Sequence, residues 1–288
     1  MSLASAPAYA LAAALLSALA TIFIRHGLRG SDPYVGVWIN LMVGTVGLWI
    51  AVAATGGIGH PTATGVLLFL LAGLIGTVGG RVFRFVSIEK VGPSISAALT
   101  NLHPLVAATL AILLLGDPVT VPILAGTAVI VVGTALLSFG GPQRGFRARY
   151  LWLPLGSAFC FGIVAILRKV GLGHVGVVMG SAINVTTAMV AFSAFVLASR
   201  RGGTMTCDRR SLGWFVAAGV TENLSVFLNV VALGLATVSV VSPLVGSSPI
   251  FVLFLSFLFL RDVELLSTRI VIGTLLTVVG VVLITLFR

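Results

Sequence analysis

The sequence predicts an all-α integral membrane protein in which ten transmembrane helices form two inverted five-helix repeats. Three observations predict it. First, 58% of the 288 residues are hydrophobic and only 8% are charged, with a mean hydropathy of +1.18; so few polar groups cannot cover the surface of a water-soluble domain of this length. Second, "GTAVIVVG" at Gly126 to Gly133 returns as "GTLLTVVG" at Gly273 to Gly280, and "NLHPLVAATLAILLLGD" ending at Asp117 aligns with "GSSPIFVLFLSFLFLRD" ending at Asp262, placing Pro104 over Pro249. Third, ten apolar runs approach the ~20 residues that cross a bilayer. Five is odd, so the second copy of a five-helix unit enters the membrane from the opposite side. Inverted repeats are the architecture of alternating access; the alternative is that duplication merely enlarged the bundle.

The runs follow in order. Ala8 to Ile24 begins with no basic segment ahead of it, so it reads as a retained helix rather than a cleaved leader. Tyr34 to Ala54 starts behind the breaker "GSDP" at Gly30 and holds Asn40. Thr64 to Phe85 follows "GGIGHP" at Gly56; Ala72, Gly76 and Gly80, four apart, form a small stripe for close packing, and Arg81 and Arg84 lie near its end. Ser94 to Leu115 carries Thr100, Asn101 and His103 ahead of Pro104, and proline frees a carbonyl one turn back. Val121 to Phe139 is uniformly apolar, suited to lipid or subunit contact.

The second set repeats the first. Tyr150 to Leu167 follows "GGP" at Gly140 and ends at Arg168 and Lys169, and Val175 to Ala198 holds Asn184. Leu212 to Ala232 is the most polar helix, with Glu222, Asn223 and Asn229. Val238 to Leu260 carries Ser242, Pro243, Ser247, Ser248 and Pro249, and Ile270 to Phe287 is again apolar. The repeats divide the chain into 1–142 and 143–288, and no loop has room for a soluble domain.

Charge sets topology. The 17 basic residues outnumber 7 acidic ones, but they punctuate the apolar runs instead of clustering on a polar face, which argues against nucleic acid as a partner. Fourteen fall on one side of the ten-helix arrangement, leaving Arg168, Lys169 and Arg288 on the other; the positive-inside rule makes the first side cytoplasmic and puts both termini outside. Cys160 and Cys207 lack metal-site spacing and imply no required disulfide. No cofactor or metal is expected.

The segments "SISAALTNLHPLVAATLAILLLGD" and "VSVVSPLVGSSPIFVLFLSFLFLRD", each followed by its Gly-flanked helix, resemble the drug/metabolite transporter superfamily, and within it the EamA-type branch. Asp117 and Asp262 stand where the family commonly has Glu, and family members are usually drawn with cytoplasmic termini. The resemblance implies a cavity lined by the first four helices of each half, with the fifth and tenth peripheral. It also implies export of small metabolites, amino acids foremost, across a bacterial cytoplasmic membrane by a multi-pass protein, working among lipids as a monomer or weak dimer.

The polar residues at membrane depth are the candidate site. A carboxylate at a helix centre costs about 2.5 to 3.5 kcal/mol on insertion scales, so Glu222 is either a substrate or proton site or a carboxyl that joins helices. An offset of about 145 residues places Arg84 over Asn229 and Arg81 about one turn from the equivalent of Glu222. A cross-cavity ion pair then serves as gate or strut; alternatively both arginines snorkel to the interface. Asn40 and Asn184 occupy equivalent positions, as cavity lining or as interhelical amides. Asn223, Asn101, His103 and Lys169 complete the candidates. His103 reads more readily as structural, while Lys169, with Arg168, could take a carboxylate at the cavity mouth. Pro104, Pro243 and Pro249 are candidate hinges. The zinc helix, phosphate loop and aspartate pair of membrane-embedded enzymes are not in the sequence. The reading is a secondary transporter; its rival is a proton-coupled antiporter of lipophilic cations using Glu222.

Overall fold

A computed structural model describes residues 5–56, 61–91, 96, 99–100, 102–117, 120–138, 148–198, 207–259 and 268–286. Among these residues the chain is helical, with no strand. Six helices are long and apolar enough to cross a membrane: α1 (Ala6–Gly27), α2 (Pro33–Thr55), α3 (Ala63–Val91), α6 (Trp152–Gly171), α7 (Val177–Ala198) and α8 (Arg209–Leu235). Shorter or interrupted apolar helices accompany them among the described residues. They are α4 (His103–Leu115), α5 (Val121–Ser138), α9 in two pieces (Val238–Val245 and Ser248–Phe259) and α10 (Thr268–Leu286). The outer surface is apolar, with Leu113, Val121 and Leu197 exposed by 72, 79 and 77%, which only a lipid environment tolerates around the bundle. This is a multi-pass membrane protein.

Two of the few acidic residues mark helix starts. Asp32 and Asp208 are N-caps whose carboxylates accept from Tyr34 N at 2.7 Å and Ser211 N at 2.6 Å, satisfying backbone donors that the helix leaves open. Asp117 acts at a distance: it leaves the end of α4 to accept from the backbone and hydroxyl of Ser239 at the start of α9, at 3.2 and 2.8 Å. Asp262 lies outside the described residues.

Three helices depart from regular α geometry: α4 ends in a π-helix, Ala111–Leu115, and α3 and α9 break where the sequence is glycine- or proline-rich. The middle of α3, Gly73–Gly80, is a π-helix, and its glycines let neighbours press close. A Cβ at Gly80 would sit 2.7 Å from the Phe161 ring, and Gly73 and Gly76 are similarly crowded by Asn184 and Val164. In α9, Pro243 lies inside the first piece, and the chain turns at Gly246 and Ser247 before the helix resumes. Gly246 abuts Pro104, 2.5 Å from where its Cβ would be. The break in α9 therefore faces the first turn of α4.

Equivalent helices of the two repeats run in opposite directions. Gly133 of α5 packs on Gly273 and Thr277 of α10, while Gly280 packs on Gly126 and Ile130. Trp38 and Trp49 of α2 donate to Ser193 and Thr186 of α7, the rising number meeting the falling one. Most packing joins the two repeats rather than lying within one. Helix α1 packs on α8 and α9, and α2 on α8; correspondingly α6 packs on α3 and α4, and α7 on α3. The result is two groups, α1–α2–α8–α9 and α6–α7–α3–α4, that exchange under the repeat. The buried ring of Phe215 locks the first, filling the space left by Gly27 and Gly36. The second has Phe69 seated against Gly171 and Gly180.

Candidate functional site

A cavity of about 110 Å3 lies between the two groups, walled by α1, α3, α6, α8, both pieces of α9 and the residues entering α4. Among the described residues, none of helices α5 and α10 lines it. Nor do α2 and α7, which the family resemblance had placed on its lining; each stands one layer back, packed against the other and behind α8 and α3.

The cavity wall holds an ionic network that crosses the two groups. Arg84 Nη1 of α3 meets Glu222 Oε1 of α8 at 2.7 Å, with side chains 13 and 7% exposed, and its Nη2 donates to Thr21 of α1 at 2.7 Å. Arg81, one turn earlier on α3, donates to Asn40 Oδ1 of α2 and to Asn223 Oδ1 of α8, the latter at 3.2 Å. Asn223 in turn donates to the backbone carbonyls of Asn40 and Gly219 at 2.9 and 2.7 Å. Arg81 is 4% exposed, so it does not snorkel to an interface. The sequence offset had put Arg81 about one turn from the position equivalent to Glu222; the residue that meets Glu222 is Arg84, about one turn further along α3.

Other candidates fall in different places. His103 lines the cavity, and its Nδ1 lies 3.2 Å from the Thr100 carbonyl, the acceptor left open because Pro104 has no N–H. A carbonyl only accepts, so Nδ1 donates, and the ring also packs edge-on to Phe161. Pro104 is buried in the first turn of α4 and Pro243 within α9. Asn184 is buried against the π segment of α3, away from the cavity. Lys169 is not on the cavity wall: its ammonium donates to the carbonyls of Leu233 and Ala236 at 2.8 Å each, closing the C-terminal end of α8. Asn101, and the side chain of Pro249, lie outside the described residues.

Its neighbour Arg168 is the residue that sequence reasoning underweighted. It is 8% exposed and lines the cavity. Its Nε is buried with no hydrogen-bond partner, and no acceptor among the described residues takes its other N–H groups. The Thr100 hydroxyl and Glu222 Oε2, both on the same cavity, are likewise buried and unpartnered. The helical spacing of Phe161, Val164, Ala165 and Arg168 was the available signal, since it places all four on one face.

A multi-pass helical membrane protein with a buried, ionised cavity between interleaved repeats is built as a transporter of small molecules. The chain belongs to the EamA-like transporter family, whose pattern it matches twice, over residues 4–139 and 148–286. Transport, not enzymic chemistry, is what that membership implies. No curated protein matches the chain. A solved structure described only as "Crystal structure of protein" superposes with a TM-score of 0.81 at 18% sequence identity, covering 99% of both chains; at that identity the likeness shows the fold alone.

Proposed function

We propose that the chain is a secondary transporter that exports small metabolites, amino acids foremost, across a bacterial cytoplasmic membrane by alternating access of two inverted five-helix repeats, 1–142 and 143–288. One observation carries this reading: the Arg84–Glu222 pair joins α3 of one repeat to α8 of the other in the wall of the cavity between the two groups. Because the repeats interleave, the bodies that rock are the mixed groups α1–α2–α8–α9 and α3–α4–α6–α7, and the ion pair spans the gap between them. Breaking and remaking such a pair suits a gate. Uptake of labelled amino acids into liposomes holding the purified protein, with and without an imposed pH gradient, tests the reading. Saturable uptake without the gradient supports a facilitative carrier; no amino-acid uptake under either condition overturns the substrate class.

A second reading, proton-coupled antiport of lipophilic cations, draws support from the free Oε2 of Glu222. Glu222→Gln then abolishes transport of such cations along with its dependence on the pH gradient. The cavity volume weighs against it, falling well below the roughly 300–1,000 Å3 of sites for drug-sized ligands.

A further inference from the structure

We propose that Arg168 anchors an anionic group, carboxylate or phosphate, of the transported solute, and that the site selects solutes of net negative charge. The inference rests on the transporter reading above and narrows its substrate class.

Among the described residues, three guanidiniums, Arg81, Arg84 and Arg168, are gathered on this cavity against the single carboxylate of Glu222. Arg84 is neutralised by that carboxylate, and Arg81 is held by two amide oxygens. Arg168 alone has no acceptor. A buried guanidinium left without a counter-charge is costly, and the cost is removed by a ligand that supplies both acceptor and charge. The planar fork of Arg is shaped for a carboxylate or phosphate. The unpartnered hydroxyl of Thr100 lines the same cavity and offers a further donor. A zwitterion would leave the excess positive charge in place, and a cation would add to it; an anion offsets it. The small volume also favours a compact solute over a bulky one.

The set glutamate, glutamine and lysine varies charge at similar size and tests the proposal by isothermal titration of the full-length protein in nanodiscs. Glutamate is expected to bind wild type at least about tenfold more tightly than glutamine, the effect of one charge-assisted hydrogen bond, with lysine weakest. Arg168→Gln should erase the difference between glutamate and glutamine, and Arg168→Lys should restore part of it. Glutamine binding as tightly as glutamate to wild type, or discrimination surviving in R168Q, overturns the proposal; the wild-type comparison needs no variant to fold. Inorganic phosphate as a competitor separates the sources: displacement of glutamate assigns the anchor to phosphate as well as carboxylate groups, and no displacement assigns it to carboxylates. Parallel flux measurements in liposomes keep the two readings apart. Flux of glutamine equal to that of glutamate refutes anion selection and leaves the transporter standing, whereas tight glutamate binding with no flux of any solute refutes the transporter and leaves the anchor.

Discussion

Arg84 of α3 and Glu222 of α8 meet at 2.7 Å across the gap between two groups of helices. The contact is charged, desolvated and made by one oxygen of the carboxylate, while the other oxygen has no partner. Removing one member of a buried pair strands the other, at a cost of about 3 to 5 kcal/mol. Glu222→Ala is therefore expected to lower the thermal unfolding temperature markedly in detergent. Glu222→Gln, which keeps an acceptor for Arg84, should lower it less. A melting temperature for E222A equal to that of wild type would show that the pair carries no weight in this state.

Lys169 separates structure from binding. Its two hydrogen bonds to the last carbonyls of α8 are charge-assisted, and their loss in Lys169→Met should cost about 1.5 kcal/mol or more. Ligand affinity should stay at the wild-type value, because the ammonium does not line the cavity. Titration and thermal melts on the same preparation check both halves of this expectation.

Gly44 and Gly47 on α2 make a matched pair. A Cβ at Gly44 would collide with the Asn223 amide, whereas at Gly47 it would meet nothing within 4 Å. Gly44→Ala should displace Asn223 from Arg81 and destabilise by about 1 to 3 kcal/mol. Gly47→Ala should stabilise by about 0.5 to 1 kcal/mol, since Ala is the better helix former. Equal melting temperatures for the two variants would contradict the packing described.

Gly280 tests the periphery. Its Cβ would lie 2.7 Å from the Gly126 carbonyl oxygen, a backbone atom that cannot turn aside, so Gly280→Leu should pry α10 from α5. The expected result is a lower melting temperature with substrate affinity preserved, because neither helix reaches the cavity. Altered affinity would mean that the pair is coupled to the site.

Asp208 gives a pH dependence outside the membrane. The hydrogen bonds it accepts from Ser211 hold its carboxyl below the ordinary Asp value. A folded-state value depressed below the unfolded one contributes stability above the unfolded value, about 3.9, and the contribution fades as pH falls through the folded one. Asp208→Ala should therefore destabilise the protein at neutral pH and converge with wild type in acid. Melts over a pH series check the convergence; a gap that persists in acid would assign the effect to something other than the charged cap.

Much of this architecture was legible because a bilayer imposes simple rules. Long apolar runs had to be helices, and the repeated Gly126 and Gly273 segments do pack on each other. Glu222 stood out as the lone acidic residue in mid-helix, and the structure puts it on the cavity wall. The offset between repeats pointed to Arg81 and the partner is Arg84, about one turn on, since a repeat fixes which helices are equivalent and not which side chains meet across the gap. Arg168 and Lys169 looked alike at the end of a run, yet adjacent residues point about 100° apart on a helix; one faces the cavity and the other caps α8. The reach of Asp117 to Ser239 joins segments 122 residues apart, and no local pattern encodes that.

The π segment of α3 also sets a rule about length. Side chains advance about 100° per residue on an α-helix and less on a π-helix, so deleting a single residue between Gly73 and Gly80 changes the phase at which Arg81 and Arg84 are presented to the cavity. Substitutions at Gly73, Gly76 or Gly80 would act differently, by pressing a side chain onto Asn184, Val164 or Phe161. In this protein an in-frame deletion of one codon beside the arginines re-aims the site itself, where a substitution crowds the packing around it.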